Sequence, residues 1–362
     1  MKKGDLFMYC IKCGSRLPDE AVFCGMCGYK VYNAEADEKI AVPSEEAAAD
    51  KKNSKKKYSE ILNKPIKIFD KYDPTLKNTE KGGAMNSEGN MRINGDILLE
   101  YYGEEECIEI PEGIKAIGKY AFFKNKTVKK VIMHDSLKYI GQYAFMECNN
   151  LEEVVFSCNT EIIGEKAFCN CKKLKNLEFP KSLRTLEAGS FAGCDEIENV
   201  SIPVGVETIP EYCFYTCKKL RSVSMADSVS EIGKFAFSHC LFLKNVEFSN
   251  SLRIIENSAF CYCKKIEELK FPASLFSIKG LAFFGCAGLS KVSVSMKLNN
   301  IKSDSFGGCD NLFKIHVYEF NDPGITLVEM RRGYKLILNI LKQISPERAK
   351  RYASENDINK LL

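Results

Sequence analysis

Apolar and polar positions along most of this chain repeat with a period of 23 residues. The anchor is a phenylalanine: Phe122, Phe145, Phe168, Phe191, Phe214, Phe237, Phe260, Phe283 and Phe306, nine times without slippage. Three residues on stands a cysteine in eight of the nine copies, from Cys148 to Cys309, and the first copy has Asn125 instead. Six residues on is an aliphatic, from Val128 to Leu312, and nine on is another, from Val131 to Ile315. Position eleven is also apolar, as in Met133, Phe156 and Val317. Positions nine and eleven alternate with polar residues, the period of a strand with one buried face. Proline follows in several copies (Pro180, Pro203, Pro272) and ends the strand, because it has no N–H to donate.

One such unit cannot bury its apolar face alone. Stacking the units makes a continuous core in which phenylalanines, aliphatics and cysteines each form a ladder, with neighbouring strands about 4.8 Å apart. A fixed period in this range, rich in spaced aliphatics, predicts a leucine-rich-repeat solenoid with short parallel strands on one face. One copy reads Ile232-Gly233, Ala236-Phe237, Cys240, Leu243, Val246, Phe248. These residues closely resemble the BspA-type leucine-rich repeat, over about residues 98–318. The resemblance implies a right-handed solenoid used for protein–protein contact, in a family with many surface or secreted members.

The repeats are expected over 97–320. Ile97 to Ile117 reads as a degenerate first copy, with Leu99 replacing phenylalanine, because the end units of a solenoid cover an open core. Asp322-Pro323-Gly324 breaks the pattern at the other end. Helical spacing follows, with Val328, Leu336, Ile340 and Leu341 on one face, and Ser345-Pro346 reads as an N-cap opening a second helix. Residues 321–362 are therefore expected to be a helical C-terminal cap.

Ahead of the repeats the composition changes twice. Cys10-Ile11-Lys12-Cys13 and Cys24-Gly25-Met26-Cys27 are two Cys-x2-Cys knuckles, each followed by a glycine, and ten residues separate them. Four thiolates at this spacing suit one tetrahedral Zn²⁺ and leave no open coordination position, so the ion is expected to be structural. Tyr9 to Val31 resembles the short zinc-ribbon modules of bacterial and archaeal proteins, and the ribbon is assigned to 8–32. Such modules often begin just before the first knuckle, which makes Met8 a candidate start in place of Met1. From 33 to 96 the chain reads as a charged flexible linker, with acidic residues, then Lys51–Lys57, then a short helical or docking segment near 58–71. Lys77 to Asn90 reads as loop, since it carries Gly82-Gly83 and Gly89.

Charge and cysteine narrow the picture. Net charge is +4 on 52 basic and 48 acidic residues, too mild to demand a polyanion. No apolar run is long enough to span a membrane as a helix, and the N-terminus does not read as an export signal. Of 17 cysteines four belong to the knuckles and eight to the ladder. Stacked ladder thiols would have parallel Cβ vectors about 4.8 Å apart, against the roughly 3.8 Å and converging vectors of a disulfide. They are read as buried thiols acting as small apolar groups, in a reduced cytoplasmic protein.

Outward positions eight and ten should line a sheet face. In the first full copies these are Lys130/Ile132, Glu153/Val155, Asn176/Glu178 and Asn199/Ser201. Ile132 and Val155 stand side by side where a solvated face would be polar, which marks either a contact site or ground covered by the linker's Ile66–Phe69. Ile132, Val155, Lys130, Glu153, Asn176 and Asn199 are the candidate partner-binding residues. Phe123, Tyr215, Tyr262 and Phe284 sit beside the ladder as packing or contact aromatics. His134, His239 and His316 fall at different positions of different copies and cannot converge, and no phosphate loop or nucleophile–base pair is present. The reading is a non-catalytic protein-binding module. Two alternatives are a nucleic-acid scaffold acting through the ribbon and Lys51–Lys57, and a cell-surface adhesin.

Overall fold

The structure, a computed structural model, describes residues 8–9, 16–17, 83–302, 304–321 and 327–355. Two compact units divide the chain, Met1–Ile66 and Lys67–Leu362. The described residues of the first form one antiparallel pair, with Met8 opposite Leu17 and Tyr9 opposite Arg16. The segments expected near 58–71 and over 33–57 lie outside the described residues.

The second unit is the solenoid. Each copy sends one longer strand to the sheet face, such as Lys130–Met133, Asn199–Ile202 and Lys291–Val294, and copies pair in parallel at the 23-residue offset. Val131↔Val154 and Val223↔Val246 show the register. These strands form three three-stranded sheets, and the copy at Asn176 joins through a single bridge to Glu153. Beyond the expected sheet there is a second parallel line. Two-residue strands such as Tyr139–Ile140, Ile162–Ile163 and Ile254–Ile255 stack along another side of the coil.

The phenylalanine ladder forms the core. The nine rings are 0–2% exposed. Successive centroids are 4.6–5.7 Å apart and the planes differ by only 3–13°. That spacing tracks the strand separation, so backbone pairing and ring stacking impose the same rise. A backbone bond locks each step: Phe145 N–H donates to Ala167 O at 2.7 Å, and Phe214 N–H to Ala236 O at 2.8 Å.

The turn holding each phenylalanine bends through two left-handed residues, two before and two after the ring. Tyr143 (φ 58°) and Glu147 (φ 62°) flank Phe145, and Tyr212 (φ 57°) and Thr216 (φ 58°) flank Phe214. Most of these residues are not glycine, so composition gave no sign of them.

The cysteine ladder corrects one expectation. Its thiols are hydrogen-bond donors as well as small buried groups. Each ladder Sγ donates to the carbonyl of the phenylalanine in the preceding copy, at 3.0–3.3 Å, in all eight cases. That carbonyl already accepts a backbone N–H within its own turn, as Phe145 O does from Cys148 N, so the thiol uses its second lone pair. All 13 described cysteines are free, including exposed Cys107 and Cys158.

Each end carries elements outside the repeat. At the N-terminal end Ala84–Met85, Met91–Asn94 and Ile97–Tyr101 form an antiparallel hairpin array that continues the second line of strands, and Tyr101 stacks on Phe122 at 4.9 Å. Strand Ala84–Met85 thus lies inside the stretch read as loop and linker. Its glycines make turns between strands too short to show a period. At the other end α1 (Leu327–Ile344) and α2 (Pro346–Glu355) form the expected helical cap. Leu336, Ile337, Ile340 and Leu341 are buried, and Arg348 N–H donates to Ser345 Oγ at 3.3 Å, the predicted N-cap.

Candidate functional site

The repeat geometry decides which side chains the sheet face presents. Positions nine and eleven turn inward, as in Val131 and Met133 or Val200 and Ile202, all buried. Positions eight and ten turn outward. Ile132 lies opposite Val155 in the parallel register, and Lys130 opposite Glu153. Val155 is 40% exposed, and Ile132 is half-buried beside it.

Charged groups frame this apolar pair. Lys130 Nζ lies 2.9 Å from Glu153 Oε1, and the carboxylate holds the ammonium above its usual pKa. His134 Nε2 lies 3.8 Å from Glu109 Oε2 on the N-terminal side. Towards the C-terminal side come exposed Asn176 and Asn199, then small polar groups bonded across the strands. Ser222 Oγ donates to Asn199 Oδ1, and Ser224 Oγ to Ser201 Oγ at 3.2 Å. The six candidate residues therefore lie on consecutive copies of one face. Ile132 and Val155 lie opposite each other in register, whereas Asn199 belongs to the next sheet. The linker segment weighed as their cover lies outside the described residues.

Ion pairs neutralise the rim of this face internally. At position seven, Lys129 pairs with Glu106 at 2.6 Å, Lys175 with Glu152 at 2.8 Å and Lys244 with Glu267 at 3.0 Å. Exposed pairs of this kind add little stability, but they leave no continuous cationic stripe along these copies. The seventh position also holds what the sequence reading passed over. After this charged row and Ser290 comes Phe313, 64% exposed. One apolar residue in a row of charges was the available signal.

The aromatics beside the ladder form a half-exposed edge. Tyr120 stacks on Tyr143 at 5.0 Å with Phe123 against it, and Tyr212 stacks on Phe235 at 5.0 Å. His239 stands between Tyr215 (5.8 Å) and Tyr262 (5.1 Å), and burial lowers its pKa. The three histidines lie in separate copies, as expected, and among the described residues no His, Cys, Asp and Glu cluster could hold a metal.

The expected zinc ligands Cys10, Cys13, Cys24 and Cys27 lie outside the described residues. What is described beside them is the antiparallel pair Met8–Tyr9 and Arg16–Leu17, between which Cys10 and Cys13 fall in the sequence. No described helix is long and apolar enough to cross a membrane.

Comparison with known proteins bears on both units. Residues 101–221 and 185–313, more than half of the chain together, match the family described as BspA type leucine-rich repeat region, in six copies. Residues 9–31 match a zinc-ribbon domain. Among solved structures, the chain is similar to a leucine-rich repeat protein from Bacteroides ovatus, with 22% identity over 66% of this chain and 75% of that one and a TM-score of 0.47. It is also similar to a leucine-rich cell surface protein from Faecalibacterium prausnitzii, with 20% identity over 65% and 92% and a TM-score of 0.35. A leucine-rich repeat protein from Eubacterium ventriosum gives 16% identity over 65% and 82%, with a TM-score of 0.38. No curated protein gives a significant match.

Proposed function

The chain belongs to the BspA-type leucine-rich-repeat family, and we propose that it is a non-catalytic protein-binding solenoid whose partner sits on the sheet face at Ile132 and Val155. One observation carries this reading. Ile132 and Val155 are adjacent in register on an otherwise polar face, and Val155 is 40% exposed. An apolar pair flanked by Lys130, Glu153 and Asn176, with Asn199 one copy further on, has the make-up of a small interface: a dry centre with a polar rim.

The ribbon is read as a structural or docking module holding one Zn²⁺ through Cys10, Cys13, Cys24 and Cys27. Four thiolates close the coordination shell, so the ion supplies folding energy and no chemistry. A reducing compartment, the cytoplasm, suits the knuckle thiols and the 13 free cysteines.

The test is affinity capture from native lysate at moderate salt, in nuclease-treated and untreated halves, using the wild-type chain and an Ile132→Glu variant of unchanged circular dichroism. Protein retained after nuclease and lost with Ile132→Glu supports the reading. Recovery only without nuclease moves the function to nucleic acid and to the ribbon with Lys51–Lys57. Retention unchanged by the substitution moves it off this face.

A further inference from the structure

Among the described residues, the C-terminal end of the solenoid is bonded to the cap on one side only. On the turn side the cap reproduces what a further copy would supply. Gln343 Oε1 accepts the Phe306 N–H at 3.1 Å, which in earlier copies bonds to the next copy's carbonyl. Arg348 Nη1 donates to Asp310 O at 3.2 Å and Leu312 O at 3.3 Å. The cap's bonds stop there, one residue short of the last sheet strand, Lys314–Val317.

In earlier copies the carbonyl at position seven accepts N–H groups from the copy after it. Glu106 O takes those of Lys129 and Lys130 at 2.7 and 2.9 Å, and Ser290 O those of Phe313 and Lys314 at 3.2 and 3.1 Å. Phe313 has no copy after it, and no described residue donates to its carbonyl. Lys314 bonds backwards, so strand alternation turns the peptide groups of Ile315 outward beside it. Among the described residues Lys314–Val317 is thus an unpaired sheet edge, the kind that accepts another strand.

Beside this edge lies a trough of about 630 Å³ between the strand and the helices. Leu312, Ile315, Ile337 and Leu341 line its apolar part. Its cations are unequally engaged. Glu268 pairs with Lys291 at 2.7 Å, and Glu355 with Arg351 at 3.1 Å. Lys314 and Arg348 have no carboxylate partner among the described residues; Lys314 Nζ stands 5.6 Å from the exposed Phe313 ring. An edge strand, an apolar wall and two cations free of carboxylates are complementary to one kind of guest: an extended segment whose backbone pairs and whose acidic side chains alternate with apolar ones.

We propose that this trough is a strand-addition site, in which an extended acidic segment of another protein pairs its backbone with Phe313 and Ile315 and sets carboxylates against Lys314 and Arg348. The site is at the other end of the array from Ile132 and Val155 and stands independently of the function assigned to them.

The test uses the zinc-loaded full chain and fluorescence anisotropy of labelled, end-capped peptides about eight residues long. One alternates Glu with Val, one alternates Lys with Val, and one is the Glu/Val peptide N-methylated along its backbone. The expected result is binding of the Glu/Val peptide alone, weakened about tenfold or more by Lys314→Glu and unchanged by Ile132→Glu. N-methylation needs no change in the protein, so the pairing is tested even if Lys314→Glu were to fold poorly. Failure of the Glu/Val peptide to bind, or equal binding by the methylated peptide, overturns the proposal. So does binding that appears only when residues 356–362 are deleted, which would give the trough to the chain's own C-terminus. Self-association in sedimentation that Lys314→Glu abolishes would give it to a second copy and overturn it likewise.

Discussion

The thiol of Cys217 donates a hydrogen bond to the backbone carbonyl of Phe191, 3.3 Å away in the preceding copy. Seven further cysteine–phenylalanine pairs repeat it, always 26 residues apart. The bond joins the second ladder of the core to the first, so the cysteine is fixed by a donor requirement as well as by size.

Replacing the thiol separates these two requirements. Cys217→Ala removes the donor and opens a small void, and is expected to cost about 1–2 kcal/mol. Cys217→Ser keeps a donor and is expected to cost less than alanine. Thermal melts of the two variants check this, and a serine variant no more stable than the alanine one would reduce the cysteine to a space-filler.

The same burial predicts a dependence on alkaline pH. Desolvation pushes the ladder thiol of Cys148 up to about 12, and those of Cys240 and Cys263 well above 9.0. An unfolded thiol ionises near 9.0 while the folded one keeps its proton, so above that pH the unfolded state binds fewer protons. Stability is then unaffected by the ladder below pH 9 and falls as pH rises from there toward 12. Melting temperatures from neutral pH to about pH 11 should show the fall, and Cys240→Ala should make it shallower. In the native chain only Cys107 and Cys158 among the described thiols should react promptly with a disulfide reagent.

Thr216 is a β-branched residue held at φ 58°, where Gly193, Gly285 and Gly308 occupy the same position in other copies. A left-handed conformation costs a residue with a Cβ roughly 1–2 kcal/mol. Glycine returns about 0.4–1 kcal/mol of that through the freer unfolded chain. Thr216→Gly is therefore expected to stabilise by up to about 1 kcal/mol, read as a raised melting temperature. A lowered one would mean that the threonine side chain contributes more packing than strain.

One carboxamide of the cap bonds to the last copy twice. Gln343 accepts from Phe306 N–H and donates to Lys302 O, both at 3.1 Å. Gln343→Leu leaves the buried Phe306 N–H without a partner and should cost about 1–3 kcal/mol. Hydrogen exchange should locate the loss in the last copies and the two helices, with the copies around Phe145 unchanged.

Metal removal should act on one unit only. With roughly 10–16 kcal/mol of folding energy resting on a structural zinc, chelation or Cys13→Ser is expected to unfold residues 9–31. The solenoid melting temperature should stay the same, since its core is its own phenylalanine ladder. A drop in that temperature on chelation would count against two independent units.

How much of this was legible without the fold differs from part to part. The 23-residue phase gave the ladder, the inward and outward positions and the register of Ile132 beside Val155, while helical spacing and Ser345-Pro346 gave the cap and its N-cap. Each follows from a periodicity or a local bond that the sequence spells out within a few residues. The ribbon was legible for the same reason, because two closely spaced Cys-x2-Cys pairs mark the domain that residues 9–31 match. Tertiary structure alone decided that Cys217 bonds to Phe191, that Tyr143 and Thr216 bend left-handed, that a hairpin starting near Ala84 stands at one end, and that Phe313 stands at an edge unpaired among the described residues. In each case the partner or constraint lies a full copy away or in the cap, and a period records where a side chain recurs but not which group in the neighbouring turn it meets.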